Sequence, residues 1–462
     1  MYKLQYNSPI HVHFIGIGGI SMSGLAEILL HRNFTVSGSD MQESVTTKHL
    51  NSIGAKVMIG QKAENITDDI DLVVYTAAIS ANNAEFVAVK EKGIPMMTRA
   101  ALLGQIMANY MESIAVSGTH GKTTTTSMLT HILLESDADP TVSVGGMLDR
   151  IGGNIRVGDS KVFLTEACEY TNSFLEFYPK YAIILNVEED HLDFFKDIDD
   201  IKHSFHQFAS QTSEDGMIII NGDMEHTEEI LQGLKRRSVT FGLNPDNDYS
   251  AADIVFDKLG NPAFTLLVHG KPEGRIRLSV KGIHNVTNCL AAVACALDLG
   301  ISMDTIIDGL YSFGGTKRRF EYKGSIGEVR VVDDYAHHPT EITATLTAAK
   351  ELEHDDLWVI FQPHTYSRTI AFLDDFATAL SAADHVVLAD IYAAREKDTG
   401  EVSSKDIMTR LEKMGTDVHH FPSFAEIEEY ILENVKGKDM VMTIGAGNVV
   451  NIGENLVKRF YK

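Results

Sequence analysis

Residues 114–125 read Ile-Ala-Val-Ser-Gly-Thr-His-Gly-Lys-Thr-Thr-Thr. An apolar run of strand type enters a turn with two glycines, and a lysine followed by hydroxyl residues opens a helix. Gly118 and Gly121 permit a tight backbone that turns amide N–H groups inward, and the helix start adds more amides and a positive partial charge. Such a turn cradles phosphate. Lys122 reaches the terminal phosphates of a nucleotide, and the Thr123 hydroxyl reaches a Mg²⁺ ion held with them. The spacing is a shortened variant: the usual loop has four residues between its first glycine and the Gly-Lys pair, and Val116 occupies that place. The bland alternative is a chance strand–turn–helix.

Strand and helix signals alternate along the rest of the chain, which favours parallel sheets covered by helices. A chain of 462 residues suggests about two to four domains. The pattern predicts an α/β protein of three domains: a Rossmann-like N-terminal domain over residues 1–103, a central P-loop ATPase-type α/β domain over 104–322, and a C-terminal Rossmann-like α/β domain over 323–462. In the first, strands are expected at 10–16, 35–39, 56–59 and 72–76. In the second, after the strand that opens near residue 114, they are expected at 162–166, 181–186 and 217–221, then a β-leaning stretch at 249–280 and a helix at 286–299. In the third they are expected at 329–333, 357–361, 385–389 and 440–444.

A net charge of -24 repels nucleic acid and anionic membrane, yet leaves room for a small anionic substrate held by local donors. No run of apolar residues approaches the ~18 that a membrane helix needs. The N-terminus has no basic stretch followed by an apolar run, so no signal peptide is expected. Cys168, Cys289 and Cys295 fit neither a disulfide framework nor a zinc site, and read as buried thiols in a reducing cytoplasm.

Further polar clusters follow expected strands. Glu166 ends one, beside Glu169, where a carboxylate next to a phosphate loop is placed for a hard cation; alone it would be a solvated loop charge. Asn186, Asp190 and His191 follow the next, with His191 either structural or a ligand to a second metal ion. Asn285 opens a helix as a cap or reads an adenine edge. Arg319, in a basic turn, is solvated or faces phosphate. The segment Asp333-Asp334-Tyr335-Ala336-His337-His338-Pro339-Thr340-Glu341 pairs acids with histidines in a turn. Arg368 follows Phe361-Gln-Pro-His364 and offers a fork for a carboxylate. Near the N-terminus, Gly16, Gly18, Gly19 and Ser21 form a dinucleotide-type turn with serine for the third glycine. Asp40 stands about 20 residues on, where a ribose-binding acid would sit. That turn is weak evidence for NAD and better evidence for a diphosphate at a helix N-terminus.

Together these motifs resemble the Mur ligase family, in order and across nearly the whole chain. The Gly-Thr-His-Gly-Lys-Thr-Thr loop, Glu166, Asn186 with Asp190 and His191, His284-Asn285 with Asn288, Arg319 and Asp334 fit the family's shared set. Gly-Ile-Gly-Gly, Asp-Asp-Tyr-Ala-His-His-Pro-Thr-Glu and Phe-Gln-Pro-His are most similar to the branch that adds L-alanine to UDP-N-acetylmuramic acid. The resemblance implies an ATP-dependent ligase whose first domain binds the UDP-sugar (Gly16, Gly18, Gly19, Ser21, Asp40). The central domain would bind ATP through Gly118, Thr119, His120, Gly121, Lys122, Thr123, Thr124 and Asn285, with Arg319 and Asp334 closing over the nucleotide. Thr123 and Glu166 would hold one Mg²⁺ and His191 serve a second. Tyr335, His337 and Arg368 would face the alanine. Lys122, Glu166, His191 and His337 would carry the chemistry, His337 as base. The implied partners are these small molecules, with no nucleic acid or membrane, in a cytoplasmic monomer or dimer. Thr365 stands where many relatives carry a second arginine, and Cys168, Tyr170, Thr171 and Asn172 take part of an acidic run common in relatives. Rival readings are a sister ligase that attaches a recycled peptide, an NAD-dependent oxidoreductase built on the N-terminal unit, and a nucleotide-binding regulator.

Overall fold

The computed structural model describes residues 3–76, 79–394 and 396–460. His11–Ile15, Thr35–Asp40, Lys56–Ile59, Leu72–Tyr75 and Met96–Thr98 form an all-parallel sheet in the order third, second, first, fourth, fifth. The order reverses beside the first strand, which opens a crevice at that strand's C-terminal end. The Gly-rich turn lies there. Met96–Thr98 lacks a β-branched run and was not expected from the pattern.

The central sheet has ten strands. Glu112–Ser117 lies between Val162–Glu166 on one side and Tyr181–Ile184 on the other, all parallel. The β-leaning segment resolves into three strands, Tyr249–Phe256, Pro262–Val268 and Lys271–Arg277, which run antiparallel. Thr141–Leu148, Gly153–Arg156 and Arg237–Phe241 add strands that the sequence pattern did not reveal. Cys289 and Cys295 are fully buried in the helix Ile283–Asp298. Cys168 is a correction to the buried-thiol expectation: it sits in the loop after Glu166 and is exposed, because that loop edges a cleft rather than a core.

The third sheet has six strands, five of them parallel, with Glu321–Ile326 added antiparallel at one edge. Glu321–Ile326, at that edge, spans the expected division at 322/323.

The domains join in two ways. A single apolar cluster runs from Phe34 and Leu25 of the first domain through Tyr110 to Phe163, Phe174 and Phe205 of the second. Tyr6 meets Tyr110 edge-on at 5.8 Å, and Tyr110 meets Phe163 at 5.0 Å. Any side chain at Gly24 would overlap Ile155 across this join. The third domain keeps its own core of Ile342, Val359, Phe361, Phe376 and Leu388. It meets the central domain mainly through polar groups, described with the site.

Candidate active site

The phosphate loop is folded by its neighbours. Gly118 (φ 138°) and Gly121 (φ 84°) occupy the left-handed region, and a Cβ on Gly121 would come within 2.5 Å of Asn288 Oδ1. Asn186, at the end of the adjacent strand, grips the loop from both sides. Its Oδ1 accepts the His120 N–H at 2.7 Å and its Nδ2 donates to the His120 carbonyl at 3.1 Å. Thr119 Oγ1 accepts the Glu188 N–H at 3.0 Å. The loop therefore keeps its shape without a ligand.

Lys122 opens the helix Lys122–Glu135, and its ammonium donates to the carbonyls of Gly118 and Thr119 and to the Glu169 carboxylate, at 2.9 Å to the nearer oxygen. Burial opposes the charge, but Glu169 outweighs it and pushes the lysine up to about 12. Glu166 accepts the Gly145 N–H at 2.6 Å and bonds the Thr123 side chain. Burial pushes the Glu166 carboxyl above the usual range. Gly145 and Gly146 cross so close to Glu166 and Thr123 that a Cβ on either would press on those side chains. A hydroxyl and a carboxylate, both hard oxygen donors beside a phosphate loop, fit Mg²⁺. His191 stacks on Tyr170 at 4.4 Å, with Nε2 3.7 Å from Glu169 and 3.8 Å from Asp190. Burial lowers its pKa, which favours the neutral ring that a metal needs.

A cavity of about 310 Å³ opens between the central and third domains. His120, Gly121, Thr124 and Asn285 line it from the central domain, and Asp334, Glu341 and Thr345 from the third; Arg319 sits between. His284 in its wall, exposed to the cavity, is pushed down to about 4 by desolvation among the surrounding atoms and by Arg319, so it is neutral near pH 7. Asn285 lines the cavity, but its amide is engaged: Nδ2 donates to the Lys281 carbonyl at 2.7 Å and Oδ1 accepts from Asn288 at 3.1 Å. A base reaching it must share these bonds. The Asp334 carboxylate accepts the N–H of Phe320 at 2.7 Å and of Ala336 at 2.8 Å, tying the linker to the third sheet; burial pushes it up to about 6. The guanidinium of Arg319 lies 5.2 Å over the Tyr335 ring.

The third domain's polar turn wraps onto the phosphate loop. His120 lies with Nδ1 3.1 Å from Glu341 and Nε2 3.5 Å from Glu188. Burial works against its charge, yet Glu341 and Glu188 push it up to about 9, so the ring is an imidazolium at neutral pH. His338 caps the helix Pro339–Lys350: Nδ1 accepts the Thr340 N–H at 3.3 Å, and Nε2 donates to the Glu189 carbonyl at 3.0 Å. His120, Glu188 and His338 stand close enough to share one ion. Both nitrogens of His338 are already bonded, so the group is an interdomain clasp. Thr340 Oγ1 adds a 2.7 Å bond to Glu188.

Arg368 is paired within the chain. Its Nε and Nη2 both bond Asp190 Oδ1, at 3.1 and 2.7 Å, because burial at the domain junction brings a carboxylate to the fork. The fork is not open to a substrate in this arrangement. Burial alone would raise Asp190, but Arg368 holds its carboxyl far below the usual range. Beside the pair is a small cavity of about 60 Å³ edged by His191, His364, Ser367 and Phe372. Thr365 above it has φ 68°, a strained value for a β-branched residue, and its N–H is tied to the Tyr392 carbonyl at 2.9 Å.

In the first domain Gly16, Gly18 and Gly19 turn between His11–Ile15 and the helix Ile20–His31, and Ser21 is exposed on that helix. Asp40 accepts the Gly18 N–H at 2.9 Å. This carboxylate shapes its own turn. Glu188, Glu341 and the Gly145-Gly146 pair were missed as site residues. Glu341 was visible in the histidine-rich motif, but nothing in the sequence placed it against His120.

The strand-end placement of a phosphate loop, a buried carboxylate and a cleft between two α/β domains defines a nucleotide-using enzyme class. Residues 11–111 match the Mur ligase family, catalytic domain; 116–296 match the Mur ligase middle domain; 318–447 match the Mur ligase, glutamate ligase domain. The chain belongs to the Mur ligase family. It is 58% identical to the UDP-N-acetylmuramate–L-alanine ligase of Agathobacter rectalis over 99% of this chain and all of that one, and 54% identical to that of Lachnospira eligens with the same coverage. The crystal structure of the UDP-N-acetylmuramate-alanine ligase of Thermotoga maritima matches with a TM-score of 0.79 at 30% identity, covering 98% of this chain and 99% of that one. A murein peptide ligase from Psychrobacter arcticus matches with a TM-score of 0.70 at 26% identity, covering 98% of each chain.

Proposed function

We propose that the protein joins L-alanine to the carboxylate of UDP-N-acetylmuramic acid with ATP, through an acyl phosphate, in peptidoglycan precursor synthesis. The observation that carries this reading is the phosphate loop facing a cleft closed by a second domain, in a chain aligned end to end with relatives that bear that name. The first domain, residues 1–103, would take the UDP-sugar on its Gly-rich turn. The central domain, 104–322, would take ATP, and the third, 323–462, the amino acid. The small cavity beside Arg368 favours alanine over a peptide as the incoming amine.

The muramic carboxylate attacks the γ-phosphorus and ADP leaves. The amine then attacks the acyl carbon and phosphate leaves. Lys122 would leave Glu169 for the phosphates, and Arg319 would neutralise charge from the linker side. Thr123 and Glu166 would hold one Mg²⁺ and His191 would serve a second; when bound, the metal would neutralise phosphate charge. His337 would take the proton of the ammonium. Arg368 would exchange Asp190 for the carboxylate of alanine. Domain docking keeps water from the acyl phosphate.

The test is phosphate release from ATP and Mg²⁺ with the sugar nucleotide and, separately, L-alanine, glycine, L-serine or an alanyl peptide. Release that requires both the sugar nucleotide and L-alanine supports the reading; dependence on the peptide moves the chain to the recycling branch. In the same assay Lys122→Ala is expected to lose at least ~10³-fold in rate while its circular dichroism stays that of wild type. Undiminished release by that variant would remove the ATP site from the loop.

A further inference from the structure

Glu341 lies in the first turn of the helix Pro339–Lys350, and its carboxylate serves three side chains. Oε2 accepts the His337 backbone N–H at 3.0 Å and lies 3.2 Å from His337 Nδ1. Oε1 lies 3.1 Å from His120 Nδ1 in the phosphate loop and 3.7 Å from Arg319 Nη1. The side chain is 11% exposed. Burial opposes its ionisation, yet His337 and His120 hold the carboxyl well below its ordinary range.

This geometry selects a tautomer. Nδ1 of His337 faces two oxygen acceptors, the Tyr335 carbonyl at 3.1 Å and the Glu341 carboxylate. A lone pair at Nδ1 would face only oxygens, so Nδ1 carries the hydrogen and the neutral ring has its lone pair on Nε2. A carboxylate that fixes one imidazole nitrogen so that the other is a base is a recurrent device. Here its second oxygen is bound to the phosphate loop of the neighbouring domain.

We infer that Glu341 is a positioning residue: it holds His337 with Nε2 ready to take the ammonium proton of the incoming amino acid, and its contact with His120 sets that base in the docked arrangement. The inference rests on the ligase reading above. In the step it serves, an ammonium N–H bond breaks and an Nε2–H bond forms. The freed lone pair makes the C–N bond, phosphate departs with the electrons of the acyl C–O bond, and its oxygen takes the second proton from nitrogen, which leaves the neutral amide.

Glu341→Gln, His337→Gln and the double variant are compared with wild type in phosphate release driven by L-alanine and by hydroxylamine, a nucleophile already neutral at neutral pH that needs no base. Glutamine keeps the shape but carries no charge, and whichever way its amide turns, its NH2 meets a donor: the His337 N–H on one side, or His120 Nδ1–H and Arg319 on the other. Glu341→Gln is expected to lower kcat with alanine about 100-fold. At saturating ATP the rate with hydroxylamine falls far less than the rate with alanine, whatever rise in the KM for ATP the lost His120 contact brings. The double variant is no slower than His337→Gln, because the two residues act as one unit. Equal losses with both amines, or losses that multiply in the double variant, overturn the proposal. Should Glu341→Gln fold poorly by circular dichroism, Glu341→Asp stands in, with a loss of about tenfold confined to alanine. If wild type is inactive with both nucleophiles, the ligase reading fails and takes this one with it; if wild type is active and Glu341→Gln equals it, this one alone fails.

Discussion

The first domain meets the central one through Tyr6, Phe34, Tyr110 and Phe163, whereas the third meets it through His120, Glu188 and Asp190 with their partners Glu341, Thr340 and Arg368. Apolar burial is non-directional and is lost only by exposing the whole surface to water. Ion pairs and hydrogen bonds exchange readily for water or for charged ligands, since each is worth little net once its groups are solvated. The first join therefore behaves as one body and the second as a docking surface that substrates remake. Lys122 and Arg368, paired now with Glu169 and Asp190, are the groups that substrate phosphate and carboxylate would claim.

The comparison breaks first at Phe163. Phe163→Ala should cost about 4 kcal/mol in urea unfolding. It should lower the stability of the first two domains together, with the third unaffected; a loss confined to the central domain would mean that the first folds independently of it. Arg368→Ala leaves the Asp190 carboxylate buried without its partner, at a cost of about 3 kcal/mol to docking. Small-angle scattering should show an extended third domain and the KM for alanine should rise, with the circular dichroism unchanged. Scattering identical to wild type would show that the polar join does not set the arrangement.

Acidity sharpens the contrast by a smaller amount. His120 is raised to about 9 when docked between Glu188 and Glu341. Its contribution is complete below the ordinary histidine value, near 6.5, and fades as pH rises through about 9. Asp190 is depressed by Arg368, so its contribution is present above the ordinary carboxylate value and fades as pH falls below it. Docking should be tightest between these limits, read by amide hydrogen exchange in residues 339–350. Exchange in residues 99–107, at the apolar join, should not follow pH in this way beyond its intrinsic rate.

The alternation of strand and helix signals was legible because parallel strands buried on both faces read as apolar runs, as in Glu112–Ser117 and Leu357–Phe361. Thr141–Leu148 hid behind its Gly145-Gly146 pair, which a strand tolerates only because Glu166 and Thr123 press against it. The phosphate loop was legible for the opposite reason: its chemistry is local, contained in seven consecutive residues from Gly118 to Thr124. What stayed hidden depends on pairs far apart in the chain. Asp190 and Arg368 are 178 positions apart, and no local pattern says that a fork expected to hold a substrate is closed on a carboxylate. Asp40 fell between the two cases: its position was legible, but its first hydrogen bond is to the turn it was expected to assist.

The cavity proposed for the nucleotide has walls in two domains, Asn285 on one and Asp334 and Thr345 on the other. It is whole only in the docked fraction of molecules. The apparent affinity of its occupant is the intrinsic affinity scaled by that fraction. Asp190 and Thr340 lie in the clasp rather than in the phosphate loop, yet on that proposal each would help to fix how much ATP is needed for half-saturation. Substitutions that tune nucleotide affinity in this protein should therefore map as densely to the clasp as to the phosphate loop.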